Sequence, residues 1–339
     1  MKRIPDASLK HLNSFSVEAR AGQLLELECE DDLQTFMSEY RFDAKRDLIL
    51  GGGSNILFAG NVEGTVILNR VTGKKIVEDS DDEVLLEARA GESWHELVLW
   101  SLDQGLSGIE NLSLIPGLVG AAPMQNIGAY GVELADVLDS VQTLDLKSGR
   151  IREFNQRDCR FDYRNSRFKS EDAGKYLITG IRLRLQRKFI AKLVYKGLKE
   201  ELLSMGINTP SARQVSAAVI RIRQRKLPDP KVIGNSGSFF KNPVVKCETA
   251  DLLKKEFAGL PVYSADDKAK LSAAWLIEHC GWKGRSLGRA AVSEQHALVL
   301  VNKDNATGRE ILTLANAIRR SVQDRFGIEL QPEPLIIES

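Results

Sequence analysis

Three consecutive glycines, Gly51, Gly52 and Gly53, follow the short apolar run Leu48-Ile49-Leu50, and Ser54 and Asn55 come directly after them. Glycine gives up more backbone entropy on folding than any other residue and adds no side chain to a core. A row of three is therefore costly unless bare main chain is wanted. Successive N–H groups without side chains form a nest that binds phosphate oxygens, and Ser54 and Asn55 add hydroxyl and amide donors. A tight β-turn uses the same glycines, so this stretch alone leaves both readings open. A second stretch, residues 115–131, reads IPGLVGAAPMQNIGAYG, with four glycines, several alanines and almost no charge. A core would want larger side chains and a solvent loop would want charges. Two side-chain-poor loops suit a flat, extended dinucleotide such as FAD better than a lone phosphate. Neither GxGxxG nor GxxxxGK[ST] occurs, which weakens a Rossmann or P-loop assignment.

Other candidate groups are local. Arg221, Arg223, Arg225 and Lys226 crowd one helical run, which reads either as a solvated face or as a cation site for an anionic ligand. Ser238 lies in a glycine-rich turn between Gly237 and the pair Phe239-Phe240, where a serine ordinarily bonds its own backbone. The net charge of +1 argues against a long polyanion as partner, since such proteins carry a basic excess. His95-Glu96 begins like a zincin motif, but Leu99 stands where the second histidine belongs, and no metal site is expected. The four cysteines are far apart and suit reduced thiols. No run reaches the ~18 apolar residues of a membrane helix, and the amino terminus lacks a secretory apolar stretch. A cytoplasmic protein is expected.

The elements that must hold these groups alternate in the first half. Strands are expected at 24–29, 48–50, 65–70, 84–91 and 181–187, the last with Ile181, Leu183 and Leu185 on one face. Helices are expected at 31–40 and after Ser93, which forms a capping box with Glu96. The second half is richer in helix: 212–226, 268–281 and 308–327, with strands at 297–302 and 328–337. The class is α+β in at least two units.

The segments GGGSN, IPGLVGAAPMQNIGAYG, YRNSRFK, LPDPKVIGNSGSFFKNP and AAWLIEHCGWKG followed by HALVLVN resemble the UDP-N-acetylenolpyruvoylglucosamine reductase (MurB) family of bacterial cell-wall synthesis, in order and over nearly the whole chain. The resemblance implies a domain of the vanillyl-alcohol-oxidase (PCMH) type at residues 17–188, in two subdomains split near residue 70. It implies a clamp segment and connecting helix at 189–226 and a substrate-binding domain at 227–327, with strand 328–339 returning to the first domain. It implies noncovalent FAD, held by Gly51, Gly52, Gly53, Ser54 and Asn55. The second set of FAD contacts is Ile115, Pro116, Gly117, Gly120, Ala121, Ala122, Gln125, Asn126, Gly128, Ala129, Tyr130 and Gly131. NADPH is the implied reductant and the enolpyruvyl ether of UDP-N-acetylglucosamine the implied substrate. That chemistry adds hydride to the terminal enol carbon and a proton to the carbon beside the carboxylate. Such an addition needs an acid and a cation for the developing charge. By family position the acid is Ser238, Arg164 is the two-pronged carboxylate clamp and Glu333 is the third active-site residue. Lys226, Asn242, the clamp tyrosine Tyr195 and His296 are the implied substrate contacts.

Leu118 departs from the small or hydroxylated residue usual in IPGxVG, and Pro334-Leu335 replace the apolar residue and Arg usual after the glutamate. Two other functions suit parts of this pattern: an FAD-dependent oxidase of the same fold and a nonenzymatic nucleotide-sugar-binding protein. Oxidases of that fold often tether flavin through His or Cys, which neither glycine loop contains. Retention of Ser238, Arg164 and Glu333 together speaks against the second.

Overall fold

The structure is a computed structural model that describes residues 1–265 and 267–338. Two compact units emerge, and each gathers separate stretches of chain. One comprises residues 1–7, 21–52 and 62–223, the other residues 8–20, 53–61 and 224–339. This interleaving differs from the expected division at 17–188, 189–226 and 227–327 with strand 328–339 returning to the first domain. Strand Ile56–Phe58 pairs in parallel with Leu335–Ile337, which takes residues 53–61 into the second unit along with the carboxy-terminal strand. Residues 189–223 join the first unit, because helices Lys196–Ser204 and Ala212–Lys226 share a small core of Leu198, Leu202, Val215, Val219 and Ile222.

In the first unit, Leu48–Leu50 and Arg20–Leu27 both run parallel to Val62–Asn69 within a four-stranded sheet. A second sheet of five antiparallel strands centres on Tyr176–Gln186, whose Ile181, Leu183 and Leu185 are fully buried, as the period-two pattern required. Its main core includes Trp94, Leu97, Val119 and Ala122, so the second glycine-rich stretch is anchored by its own apolar residues. Helix Trp94–Asp103 starts where expected: the Ser93 side chain accepts from the Glu96 amide at 3.5 Å.

The second unit contains an antiparallel sheet in which Gly234–Ser238 lies beside Val299–Asn302, and a smaller sheet of three short strands. Two expectations fail here. Residues 268–281 form strand Lys268–Leu271 and then helix Ala273–His279 rather than one helix. The Lys-Ala-Lys-Leu stretch alternates, burying Ala269 and Leu271 between two strand partners, and Ser272 restarts the chain as a helix by accepting from the Trp275 amide. Of residues 328–337 only Leu335–Ile337 form a strand. Pro332 and Pro334 lack the N–H groups a continuous ladder needs. The long helix Gly308–Phe326 matches its sequence signals closely: a reciprocal capping box joins Thr307 and Glu310, and Gly327 closes it at φ 68°.

Candidate active site

In the first unit, the chain leaves strand Leu48–Leu50 into Gly51 and Gly52, and the first question is what approaches them. A Cβ on Gly51 would sit 2.9 Å from the Cβ of Ala121, and one on Gly52 would sit 2.8 Å from the Cα of Gly117. The two glycine-rich stretches therefore pack main chain on main chain, and this contact alone forbids side chains there. Among the described residues, no protein acceptor takes the amides of Gly51 or Gly52. Donors of this kind, set between bare loops, fit a diphosphate-linked dinucleotide.

The second loop is tightly engineered by its own contacts. Ile115 and Pro116 lead into Gly117, at φ 112°, and Leu118 precedes the 3-10 helix Val119–Gln125. A Cβ on Gly120 would meet that of Ala90 at 2.6 Å, and the Gly120 amide donates to the Ala90 carbonyl. Asn126, buried and at φ 44°, spends its side chain on Glu133 and on the Ala135 amide, so it shapes the loop from inside. Gly128–Ala129 form a short strand with Val132–Glu133, and Tyr130 and Gly131 make the turn between them. Ala122 is buried, whereas Ala121, Gln125, Gly128, Ala129 and Tyr130 keep part of their surface open. Leu118 is accommodated without breaking this arrangement: its main chain bridges to Ser93.

Arg164 sits in a turn at φ 53°, a region that non-glycine residues occupy sparsely and often at functional sites. Its Nη2 donates to the Gly128 carbonyl at 2.7 Å, which brings the expected charge clamp onto the expected cofactor loop. Tyr195 precedes helix Lys196–Ser204, is 39% exposed, and meets the Tyr130 ring edge-on at 5.0 Å. Three side chains around this loop were not assigned a role from sequence. His95 accepts from the Leu114 amide, Arg223 donates to the Leu114 carbonyl, and Asn111 donates to the carbonyls of Tyr130 and Lys192. His95 was noticed in the sequence only for its partial zincin motif and Arg223 only as part of the basic run, where nothing singled it out from its neighbours.

The second unit joins another set. Ser238 ends strand Gly234–Ser238, where the register against Val299–Asn302 shifts. The bulge is built by Gly237 at φ 72°, whose amide donates to Asn235 Oδ1 at 2.9 Å. Ser238 is half-buried, and the fully buried Phe239 and Phe240 follow it. The Glu333 amide donates to the Phe239 carbonyl at 2.8 Å, so Glu333 lies across one ladder step from the residue after Ser238. Asn55 closes the group: its Nδ2 donates to the Glu333 carbonyl, and its own carbonyl accepts from Leu335. Gly53, at φ 63°, is pressed against the Leu12 carbonyl, and Ser54 follows within the same unit. Pro334 is buried, and Leu335 continues straight into the pairing with Ile56, so the departure after Glu333 leaves its backbone well fixed.

Lys226 lies close enough to His296 to disfavour a charge on it. Burial, first, and then Lys226 and Lys283 push the imidazole below its ordinary range, and its Nδ1 accepts from the Leu298 amide. A neutral ring with Nδ1 as acceptor keeps Nε2–H as donor. Asn242 Oδ1 accepts from the Ala273 amide, which orients its Nδ2 as the remaining donor.

The profile of the UDP-N-acetylenolpyruvoylglucosamine reductase C-terminal domain matches residues 229–337, and that of an FAD binding domain matches residues 22–155. The UDP-N-acetylenolpyruvoylglucosamine reductase of Pseudomonas aeruginosa is 49% identical over 96% of this chain and 96% of its own length. The chain belongs to the UDP-N-acetylenolpyruvoylglucosamine reductase family. The reductase of Azoarcus sp. is 47% identical, covering 98% of this chain and 97% of that one. The crystal structure of the MurB reductase from Thermus caldophilus superimposes with a TM-score of 0.65 at 25% identity, over 99% of this chain and 98% of that one. The family assignment bears out the α+β architecture with an FAD-binding part. The FAD-binding match covers residues 22–155, a span that includes both glycine-rich stretches of this reductase.

Proposed function

We propose that the work of this reductase is divided between two sets of side chains, Arg164 with Tyr195 and Ser238 with Glu333. The reaction is the NADPH-dependent reduction of the enolpyruvyl ether of UDP-N-acetylglucosamine to UDP-N-acetylmuramate, a precursor step of peptidoglycan synthesis. It takes place in the cytoplasm; no helix among the described residues is long and apolar enough to cross a membrane. Residues 51–55 and 115–131 would hold FAD without a covalent link, and the bound flavin would supply hydride chemistry there.

Arg164 meets the substrate carboxylate with its planar fork, holding it while negative charge spreads onto it. Ser238 donates the proton to the carbon beside that carboxylate. A hydroxyl is a weak acid, but a carbanion is a base strong enough to take its proton. Glu333 orients the hydroxyl and balances charge around it. Lys226, His296 and Asn242 bind the nucleotide diphosphate, with Tyr195 closing over it as a clamp. The bulge at Gly237 shifts the register at which Ser238 rejoins the ladder opposite Val299, and the peptide contact between Phe239 and Glu333 carries this reading. Two residues 95 positions apart in sequence could share a sheet for stability alone, yet these two are the acid and the carboxylate the reaction calls for.

The test separates the two halves of turnover. Ser238→Ala is expected to bind FAD and bleach it anaerobically with NADPH, and then to fail to reoxidise it with the enolpyruvyl nucleotide. Normal reoxidation would remove Ser238 from the role of acid.

A further inference from the structure

The second glycine-rich stretch begins and ends on residues that its neighbours hold in place. Leu114, at φ 58°, precedes it, and Tyr130, at φ 52°, lies near its end. Neither is glycine, and the left-handed region persists for such residues only where surrounding contacts over-determine it. At Leu114 those contacts are on both sides of the residue. Its amide donates to His95 Nδ1 at 3.0 Å, and its carbonyl accepts from Arg223 Nε at 3.2 Å. At Tyr130 the side chain lies close enough to the same Arg223 to favour its charge, and the carbonyl accepts from Asn111 at 2.8 Å. One guanidinium thus touches both ends of the stretch, while Arg164 holds its Gly128 carbonyl in between.

Arg223 is well placed for this. It projects from helix Ala212–Lys226, whose Val215, Ala218, Val219 and Ile222 are buried, so its stem is fixed. Burial holds its guanidinium below the usual range, with Arg164 adding to the effect, which marks a charge withdrawn from water. A planar fork can serve two acceptors at set angles, whereas a lysine offers one mobile point charge. Of the basic run that ends this helix, Arg223 is therefore not a solvated face.

We propose that Arg223 is a positioning residue for the cofactor, setting the spacing of the main chain along which FAD lies by fixing Leu114 and Tyr130 together. This rests on the assignment of residues 115–131 as flavin contacts. Arg223 touches neither reacting carbon nor hydride; it acts through the loop.

The experiment uses apoprotein prepared from wild type, Arg223→Gln, Arg223→Lys and Tyr130→Phe. FAD affinity is read by quenching of flavin fluorescence, and hydrogen exchange of peptides covering 114–131 is followed with and without FAD. Arg223→Gln is expected to weaken FAD binding ~10-fold or more, as for loss of charge-assisted bonds. It should speed exchange in 114–131 while leaving strand Tyr176–Gln186 protected, and alter the visible circular dichroism of the bound flavin. Arg223→Lys should restore only part of the affinity, and Tyr130→Phe should lose the anchor at one end. Wild-type affinity and exchange in Arg223→Gln would overturn the proposal. If that variant does not fold, wild-type behaviour of Tyr130→Phe overturns it instead. Failure of the assignment beneath it looks different: FAD would then give no protection to 114–131 even in the wild type.

Discussion

Arg164 combines two tasks that a substitution can separate. Its Nη2 bond to Gly128 ties it to the cofactor loop, and its strained backbone fixes where the fork points. Arg164→Lys retains charge but loses the planar pair of donors, so kcat is expected to fall by roughly 100-fold in steady-state assays, with a rise in KM. Retention of wild-type kcat would mean that the carboxylate is held elsewhere. The two half-buried histidines make a separate prediction. His95 and His296 are both pushed below the ordinary range, chiefly by burial, and each uses Nδ1 as an acceptor from a backbone amide. The unfolded chain takes up protons at these rings near pH ~6.5, before the folded protein does. Stability therefore falls as pH drops through that value, and levels off only below the depressed folded values. Urea melts between pH 8 and 5 should show this slope, and His95→Gln and His296→Gln should each flatten it in part.

At the scale of elements, what could be read from sequence was what repeats locally. Strand Tyr176–Gln186 and helix Gly308–Phe326 announce themselves through period and caps, and both stand where expected. Residues 268–281 misled because Ala-Lys-Leu-Ser-Ala-Ala favours helix locally, while two flanking strands impose an extended form on its first four residues. Ser238 and Glu333 were given their roles through the family resemblance and Asn55 was marked as a donor after the glycines, but the hydrogen bonds that tie Glu333 to Phe239 and to Asn55 span the sequence and left no local mark. Arg223 was hidden for a related reason: its neighbours Arg221 and Arg225 are exposed and share its chemistry. Burial gives one more prediction at this scale. Cys159 follows strand Ile151–Asn155, is fully buried, and has its thiol pushed up to about 12 by desolvation. A maleimide at pH 8 should label the exposed Cys29 and Cys247 in the folded protein and reach Cys159 only after denaturation, as peptide mass mapping will report.

For the whole molecule, ligand linkage is the measurable consequence. A cofactor that binds the folded state alone adds RT ln(1 + [L]/Kd), about 2.7 kcal/mol at a hundredfold excess over Kd. Stripping FAD should lower the calorimetric transition, and adding it back should restore the transition in a concentration-dependent way. A melt indifferent to FAD would contradict the seat assigned to it. Because the chain forms two units, the shift need not be shared equally, and a split transition in the apoprotein is the expected sign that one unit depends more on the flavin.

The parallel pairing of Ile56–Phe58 with Leu335–Ile337 has a consequence for biosynthesis. Asn55 and Glu333, which flank it, are 278 positions apart, so their bond forms only after residue 333 has been synthesised. Throughout elongation the emerging polypeptide carries Ile56, Leu57 and Phe58 without the strand that will cover them, although all three end up buried. Ribosome-stalled chains ending before residue 335 should therefore be captured by holdase chaperones through that tripeptide, and release should coincide with the emergence of residues 335–337.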